Sequence, residues 1–204
     1  MKVLHIDSSV LGENSVSRKI SAGVMVKLKA AQPDADVLYR DLAVDTVPHL
    51  SGAYLAASQG MTSEHEPELQ ADLAIGEAVL EEFLEADAVV IGVAFYNLTV
   101  SSQLKAWLDR IMIVGKTFKY SAQGELQGMM GSKRVILGIS RGGIYLEGTP
   151  GGAIEHCETF LKAIFAFIGV TNLDIIVADG VNVGPEHRAQ ALEHVDKELA
   201  LLSF

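Results

Sequence analysis

Three clusters of residues in this chain have the types and spacing to do chemistry. The first lies in IDSSVLGENSVSRKI (residues 6–20), where Ser8, Ser9, Ser15 and Ser17 flank the passage from an apolar run to a helical pattern. A strand–loop–helix corner is a natural anion site, because first-turn amides lack intrahelical acceptors and carry about half a positive charge. Hydroxyls of Ser9, Ser15 and Ser17 add donors, the Val16 amide joins them, and Arg18 offers a charge. Only Gly12 stands where a dinucleotide fingerprint needs three glycines, and the GK-Ser/Thr ending of a triphosphate loop is missing. The set suits one terminal phosphate better than a pyrophosphate. An N-cap at Asn14 or Ser15 accounts for the same serines without a ligand.

The second cluster is AFYNLTVSSQLKAWLDR (residues 94–110). Phe95 and Tyr96 offer flat apolar surface and Asn97 offers donors and an acceptor, a set that fits a planar heteroaromatic with carbonyl and ring-nitrogen edges. Phe95 serves equally well as a strand-end core residue, and Trp107 reads as core or interface. The third cluster is ISRGGIYLEGTPGG (residues 139–152). Gly142 and Gly143 permit close backbone approach to a flat ligand, with amides placed to stabilise negative charge on it. Arg141 and Tyr145 add donors, and Gly148, Gly151 and Gly152 suit a mobile gate; a tight turn before a flexible loop is the plainer alternative.

These clusters need elements to position them. Five runs rich in Val and Ile recur, at residues 2–9, 35–42, 87–95, 133–140 and 173–180. Three are nearly continuous, as strands buried on both faces require. Helical patterns alternate with them, at 17–31, 66–84, 101–114, 154–168 and 186–202. Five alternations predict a doubly wound α/β fold with a five-stranded parallel sheet, helices on both faces, and residues 1–204 forming a single domain. All three clusters then fall at carboxyl ends of strands, where such sheets bind ligands. Residues 42–67 form the longest irregular stretch and are expected to lie over a cleft or against a partner chain.

Composition narrows the function. With 16 basic and 26 acidic residues the net charge is −10, which excludes nucleic acid and anionic membrane surfaces as partners. Cys157 is the only cysteine, so there is no intrachain disulfide and no cysteine metal cluster. The start MKVLHIDSSV is interrupted too early for a secretory signal, no run is long enough to span a membrane, and a cytoplasmic location is expected. The pair His65-Glu66 lacks the second helical His of a zinc hydrolase, so no metal site is expected. His5 reads as a core or interface residue.

The motifs SS followed five residues on by SxS, FYNLTVSSQLKAWLD, and SRGGIY, in that order, resemble the FMN-dependent NADH-azoreductase family of flavodoxin-like NAD(P)H:quinone reductases. The likeness runs nearly end to end and includes GKTFKY (residues 115–120), FIGV (167–170) and ADGVNVGPE (178–186). It implies a flavodoxin-like fold, a doubly wound five-stranded parallel sheet in the order 2-1-3-4-5, and a homodimer with FMN at the interface. It also implies reduction of quinones and azo compounds by two-electron hydride transfer from NADH or NADPH, in ping-pong fashion, with two cycles cleaving an azo bond to two amines. Ser9, Ser15, Val16 and Ser17 would hold the phosphate. Phe95, Tyr96, Asn97 and Leu98 would line the ribityl chain and the ring, while Ser140, Arg141, Gly142 and Gly143 would meet its pyrimidine edge. No side chain is required as the catalyst, although Tyr145 could supply a proton or hydrogen bond. Ala94, Phe95, Leu98 and Tyr145 depart from common family choices, which bears on substrate range. The competing readings are a flavodoxin-like carrier that passes electrons to a protein partner, and an α/β interaction module without cofactor.

Overall fold

The computed structural model describes residues 1–61 and 66–204. Five parallel strands make its main sheet: β1 (Lys2–Asp7), β2 (Asp36–Asp41), β3 (Ala88–Tyr96), β7 (Arg134–Ser140) and β8 (Asn172–Ala178). Their order is β2-β1-β3-β7-β8, the doubly wound arrangement expected, with the chain reversing direction across the sheet between β1 and β3. The helices are α1 (Val16–Ala31), α2 (Gly52–Ser58), α3 (Pro67–Glu85), α4 (Ser102–Ile111), α5 (Glu158–Phe167) and α6 (Pro185–Leu201).

Alternation along the central strands builds two cores. In β3, Val89, Ile91 and Val93 pack with Phe83, Trp107 and Phe165 from α3, α4 and α5. Ala88 and Val90 point the other way, against Ile20, Val24 and Leu28 of α1 and Val195 of α6. Strands covered on both faces must be apolar throughout, which is why β3 and β7 read as continuous runs.

The structure corrects the sequence reading at several element ends. Residues 42–67 are not irregular throughout, since they contain α2. Tyr54 of α2 sits against Gly76 of α3, and the buried Arg110 guanidinium stacks 3.6 Å from the Tyr54 ring while bonding Pro48 O at 2.8 Å and Asp72 at 2.7 Å. The described part of this segment therefore docks on α3 and α4 instead of covering the strand ends. His65 lies outside the described residues. The helix expected to run to 114 stops at Ile111, where the Thr117 hydroxyl donates to Ile111 O at 2.7 Å and accepts from the Ile113 amide at 3.1 Å. The helix expected from 154 starts at Glu158, because extended Glu155 uses its carboxylate to cap the Cys157 and Glu158 amides, both at 2.8 Å. Cys157 thus precedes that helix; burial pushes its thiol up to about 12, which makes it a core residue and no nucleophile.

Three short strands were not anticipated. The strand β4 (Thr99–Val100) folds back on β3, while β5 (Phe118–Tyr120) and β6 (Leu126–Gly128) form a hairpin. That hairpin docks on the end of α5 through Phe118 against Phe167, centroids 4.8 Å apart, and Met130 N to Ile168 O at 2.8 Å. The motifs GKTFKY and FIGV are the two halves of this contact.

Where α1 crosses the sheet, β3 and β7 carry Gly92 and Gly138. A Cβ on Gly138 would lie 2.8 Å from Ile20 Cγ2, and one on Gly92 would overlap the Asp7 carboxylate. Gly138→Val is therefore expected to cost about 1–3 kcal/mol through overpacking. Thermal unfolding should show a midpoint lowered by roughly 2–10 °C; an unchanged midpoint would mean α1 is not seated on that glycine.

Candidate functional site

The β1–α1 loop is pinned from outside. Arg18 donates to the Ser9 carbonyl at 2.8 and 3.3 Å and to both Asp41 oxygens at 2.6 and 2.7 Å. Its guanidinium is thereby spent within the protein, and the charge expected from Arg18 does not face the loop's interior. The Arg18 partnership holds the Asp41 carboxyl below the usual carboxylate range.

The four serines then divide their work. Ser8 is structural: its hydroxyl donates to Gly92 O at 2.9 Å and accepts from the Ala94 amide at 3.3 Å, joining the ends of β1 and β3. The Ser9 hydroxyl lies 3.1 Å from that of Tyr96. Ser15 is the N-cap of α1, accepting from the Arg18 amide at 3.3 Å, and its oxygen is 3.0 Å from that of Ser17. The capping reading and the anion reading are thus compatible, since one cap hydroxyl leaves the Val16 and Ser17 amides at the helix end without intrahelical acceptors. Ser9, Ser15 and Val16 line a cavity of about 80 Å³ together with Asn14, Asn182 and Arg188.

Beyond this cavity opens a shallower cleft of about 470 Å³ lined by Phe95, Asn97, Leu98, Gly142, Gly143 and Tyr145. Phe95 and Gly142 border both spaces, so they adjoin. Asn97 and Leu98 form the two-residue turn of the β3–β4 hairpin, with φ of 47° and 75°. Both central residues in the left-handed region define the primed turns that match strand twist. For Leu98 this is a strained conformation, the kind that clusters at functional sites. Phe95 and Tyr145 form one wall, their ring centroids 4.5 Å apart.

The SRGG loop works through its backbone. Carbonyls of Arg141, Gly142 and Gly143 accept from the amides of Val181, Asn182 and Gly180 at 3.0, 2.9 and 2.8 Å. The loop is laced to the one after β8, and among the described residues no acceptor meets the Gly142 and Gly143 amides. Ser140 lines the smaller cavity. The Arg141 side chain turns elsewhere: its guanidinium is 2.6 Å from Glu158, 3.5 Å from Glu155 and 3.7 Å from Asp179. The donor expected from it is committed to this carboxylate cluster, so Arg141 supports the loop from behind. Nothing in the sequence pattern distinguishes the two possibilities, because all three acids are remote from Arg141 in the chain.

Residues after β8 were missed. Val181, Asn182 and Arg188 line the phosphate-sized cavity, yet the motif ADGVNVGPE that contains the first two carried no recognisable chemistry of its own. Its position at a fourth strand's carboxyl end was the available signal.

A doubly wound sheet with hydroxyls at its first loop, and an aromatic and a glycine loop beside them, defines a flavodoxin-like protein. The chain belongs to that family, whose description reads "Flavodoxin-like fold" and which matches residues 1–201. It is 50% identical over 202 residues to an FMN-dependent NADH:quinone oxidoreductase of Xanthomonas campestris pv. campestris, covering 99% of each chain. To FMN-dependent NADH:quinone oxidoreductase 2 of Bradyrhizobium diazoefficiens it is 55% identical over 192 residues, covering 94% of each. Among solved structures, it matches an FMN-dependent NADH-azoreductase from Bacillus anthracis in complex with FMN, with TM-score 0.87, 28% identity, and 97% and 95% of the two chains covered.

The network behind the first loop also sets a pH dependence. His5 Nε2 lies 3.8 Å from Asp7, and burial holds its imidazole below 6.5; the Asp7 charge opposes this and the Arg18 charge reinforces it. The unfolded chain takes up a proton near pH 6.5 and the folded one does not. Stability from this residue is therefore complete above pH 6.5 and declines as pH falls below it, until the folded form also protonates. Denaturant midpoints from pH 7.5 to 5 should fall along this course, and His5→Asn should flatten the slope; an identical slope in the variant would remove His5 as its source.

Proposed function

We propose that this chain is an FMN-dependent NAD(P)H oxidoreductase that reduces quinones and azo compounds, with residues 1–204 acting as one flavin-binding unit. The carrying observation is the junction of two spaces at the carboxyl ends of the strands. A cavity of about 80 Å³ ringed by hydroxyls and helix-end amides opens into a flat cleft bounded by aromatic rings and free glycine amides. One phosphate followed by one planar ring is the shape of FMN, and the residues fit it.

Ser9, Ser15, Ser17 and the Val16 amide would hold the phosphate; Phe95, Tyr96, Asn97 and Leu98 would line the ribityl chain and ring. Ser140, Gly142 and Gly143 would meet the pyrimidine edge, with the Gly142 and Gly143 amides stabilising negative charge there. Arg141 would contribute through its backbone and by bracing the loop. When bound, the flavin supplies the two-electron hydride chemistry. The protein's part is to orient that ring, to exclude water behind the Phe95–Tyr145 wall, and to hold a proton donor, the Tyr145 hydroxyl, at the cleft. The names of the relatives point to NADH as donor, and nothing in the cleft bars NADPH.

Because a single cleft receives nicotinamide donor and acceptor, they must take turns, which requires ping-pong kinetics; an azo bond then takes two cycles to give two amines. Exposed Val10, Leu11 and Leu98 beside the cleft support a homodimer whose second copy covers that rim. No helix among the described residues is long and apolar enough to cross a membrane, and the buried lone thiol fits a reducing cytoplasm.

The purified protein is expected to carry a flavin visible spectrum and to oxidise NADH with a quinone, giving parallel double-reciprocal lines as quinone is varied. Intersecting lines would require a ternary complex and would refute the shared cleft, while a protein that stays colourless with added FMN would refute the whole reading. A Cβ on Gly142 would approach Asn182 Nδ2 to 2.9 Å, so Gly142→Val should lower FMN affinity at least tenfold by crowding loop and ring together. A fully yellow, fully active Gly142→Val would overturn the role given to this loop.

A further inference from the structure

The chain has six arginines, and five are tied to carboxylates. Arg18 meets Asp41 at 2.6 Å, Arg40 meets Glu82 at 2.5 Å, Arg110 meets Asp72 at 2.7 Å, Arg134 meets Asp174 at 2.8 Å and Arg141 meets Glu158 at 2.6 Å. Arg188 differs. Among the described residues its side chain makes one hydrogen bond, from Nη1 to Val181 O at 3.3 Å, and no ion pair. In a chain of net charge −10, a half-buried guanidinium left without an acidic partner is an exception that its location accounts for. It lines the same cavity as Ser9, Asn14, Ser15 and Val16.

From this geometry we infer that Arg188 is the cationic anchor of the phosphate site, acting on the dianionic phosphomonoester of the cofactor beside the hydroxyls of the first loop. The fold brings it there. The helices α1 and α6 pack on one face of the sheet and both begin at the carboxyl ends of its strands, so the first turn of α6 faces the first turn of α1. The Val181 carbonyl holds the guanidinium at the cavity, where hydroxyl and amide dipoles alone would otherwise have to balance two negative charges. Guanidinium–phosphate hydrogen bonds are charge-assisted and about twice as strong as neutral ones. The inference rests on the FMN reading, and it adds a residue that neither the serine motif nor the aromatic and glycine loops point to.

The test separates phosphate from ring by using two ligands. The full-length protein is stripped of flavin and titrated with FMN and with riboflavin, which lacks the phosphate, following flavin fluorescence. Arg188→Gln is expected to weaken FMN roughly 10- to 100-fold, the range of a hydrogen bond to a charged group. Riboflavin affinity should stay within about twofold, because no phosphate is there to lose. Added KCl should weaken FMN binding to the wild type more than to Arg188→Gln, and Arg188→Lys should keep most of the preference for FMN over riboflavin. Equal losses for both ligands, or no loss for FMN, would overturn the assignment. A wild type that binds neither ligand would instead overturn the flavin reading itself. Should Arg188→Gln unfold, Arg188→Met, which keeps the apolar stem and removes the charge, takes its place: a loss confined to FMN with an unchanged melting temperature supports the assignment, and a loss shared by both ligands, or none for FMN, overturns it.

Discussion

The site depends on how Arg18 is used. One guanidinium joins α1 to the carbonyl of Ser9 and to Asp41 at the end of β2, with the Tyr39 hydroxyl 3.1 Å from Nη1. Asp7, buried beneath it, accepts from Ser21 at 2.8 Å and from Tyr39 at 3.1 Å. The pair is mutually reinforcing, since Asp41 holds the Arg18 guanidinium above its usual range and Arg18 holds Asp41 below its own. By fixing the Ser9 carbonyl outward, the clamp leaves the hydroxyls and the helix-end amides to face inward. A charge beside the β1–α1 loop thus acts as its scaffold. A planar fork with five donors can hold three groups in fixed relation, which a lysine could not.

The opposite wall is built from backbone for a related reason. In the proposed reading a flat ring would lie close to main chain, where donors are best supplied by residues without side chains in the way. The loop after β7 gives its carbonyls to the loop after β8, and among the described residues the amides of Gly142 and Gly143 meet no acceptor. The aromatic loop is tightened in the same spirit. Its turn places Asn97 and Leu98 at positive φ, at a cost of about 1–2 kcal/mol for a residue such as Leu98. The surrounding contacts keep it there, with Leu98 O accepting from the His156 amide at 3.0 Å and Thr99 Oγ1 donating to His156 O at 3.3 Å. The acidic cluster around Arg141 completes the frame from behind.

The sequence made the sheet and the three strand-end loops legible because periodicity and strand-end position are local signals. Val and Ile in β3 and β7 announce burial on both faces, and Ser15 announces a helix start whatever else it does. Side-chain partners chosen across the fold left no such mark. Nothing near Arg18 in the chain marks Asp41 as its partner, and Glu158 is equally remote from Arg141, so both arginines read as free charges when neither is. Arg188 carried no sequence signal either, since nothing along the helical pattern of residues 186–202 marks it as lining the cavity at the first loop. The docked hairpin of β5 and β6 was hidden by brevity: strands of three residues carry too little alternation to register. The segment before α3 was hidden because Arg110 and Tyr54, which fasten it, lie far apart in sequence.

These placements also bear on how an acidic chain would hold the anion proposed for it. At physiological ionic strength a charge is screened over about 8 Å, so the bulk of the acidic surface contributes little field at the cavity. In the proposed reading, what an anion would meet there is set locally, by the hydroxyls of Ser9 and Ser15, the start of α1 and the residues after β8 that line the cavity. The arrangement ties affinity to packing as well. The N-terminus of α1 is aimed by the seat that Gly92 and Gly138 provide, and a helix is stiff over its length, so a displacement at mid-helix moves its first turn. The two core glycines therefore belong to the same physical unit as the serines at the start of α1.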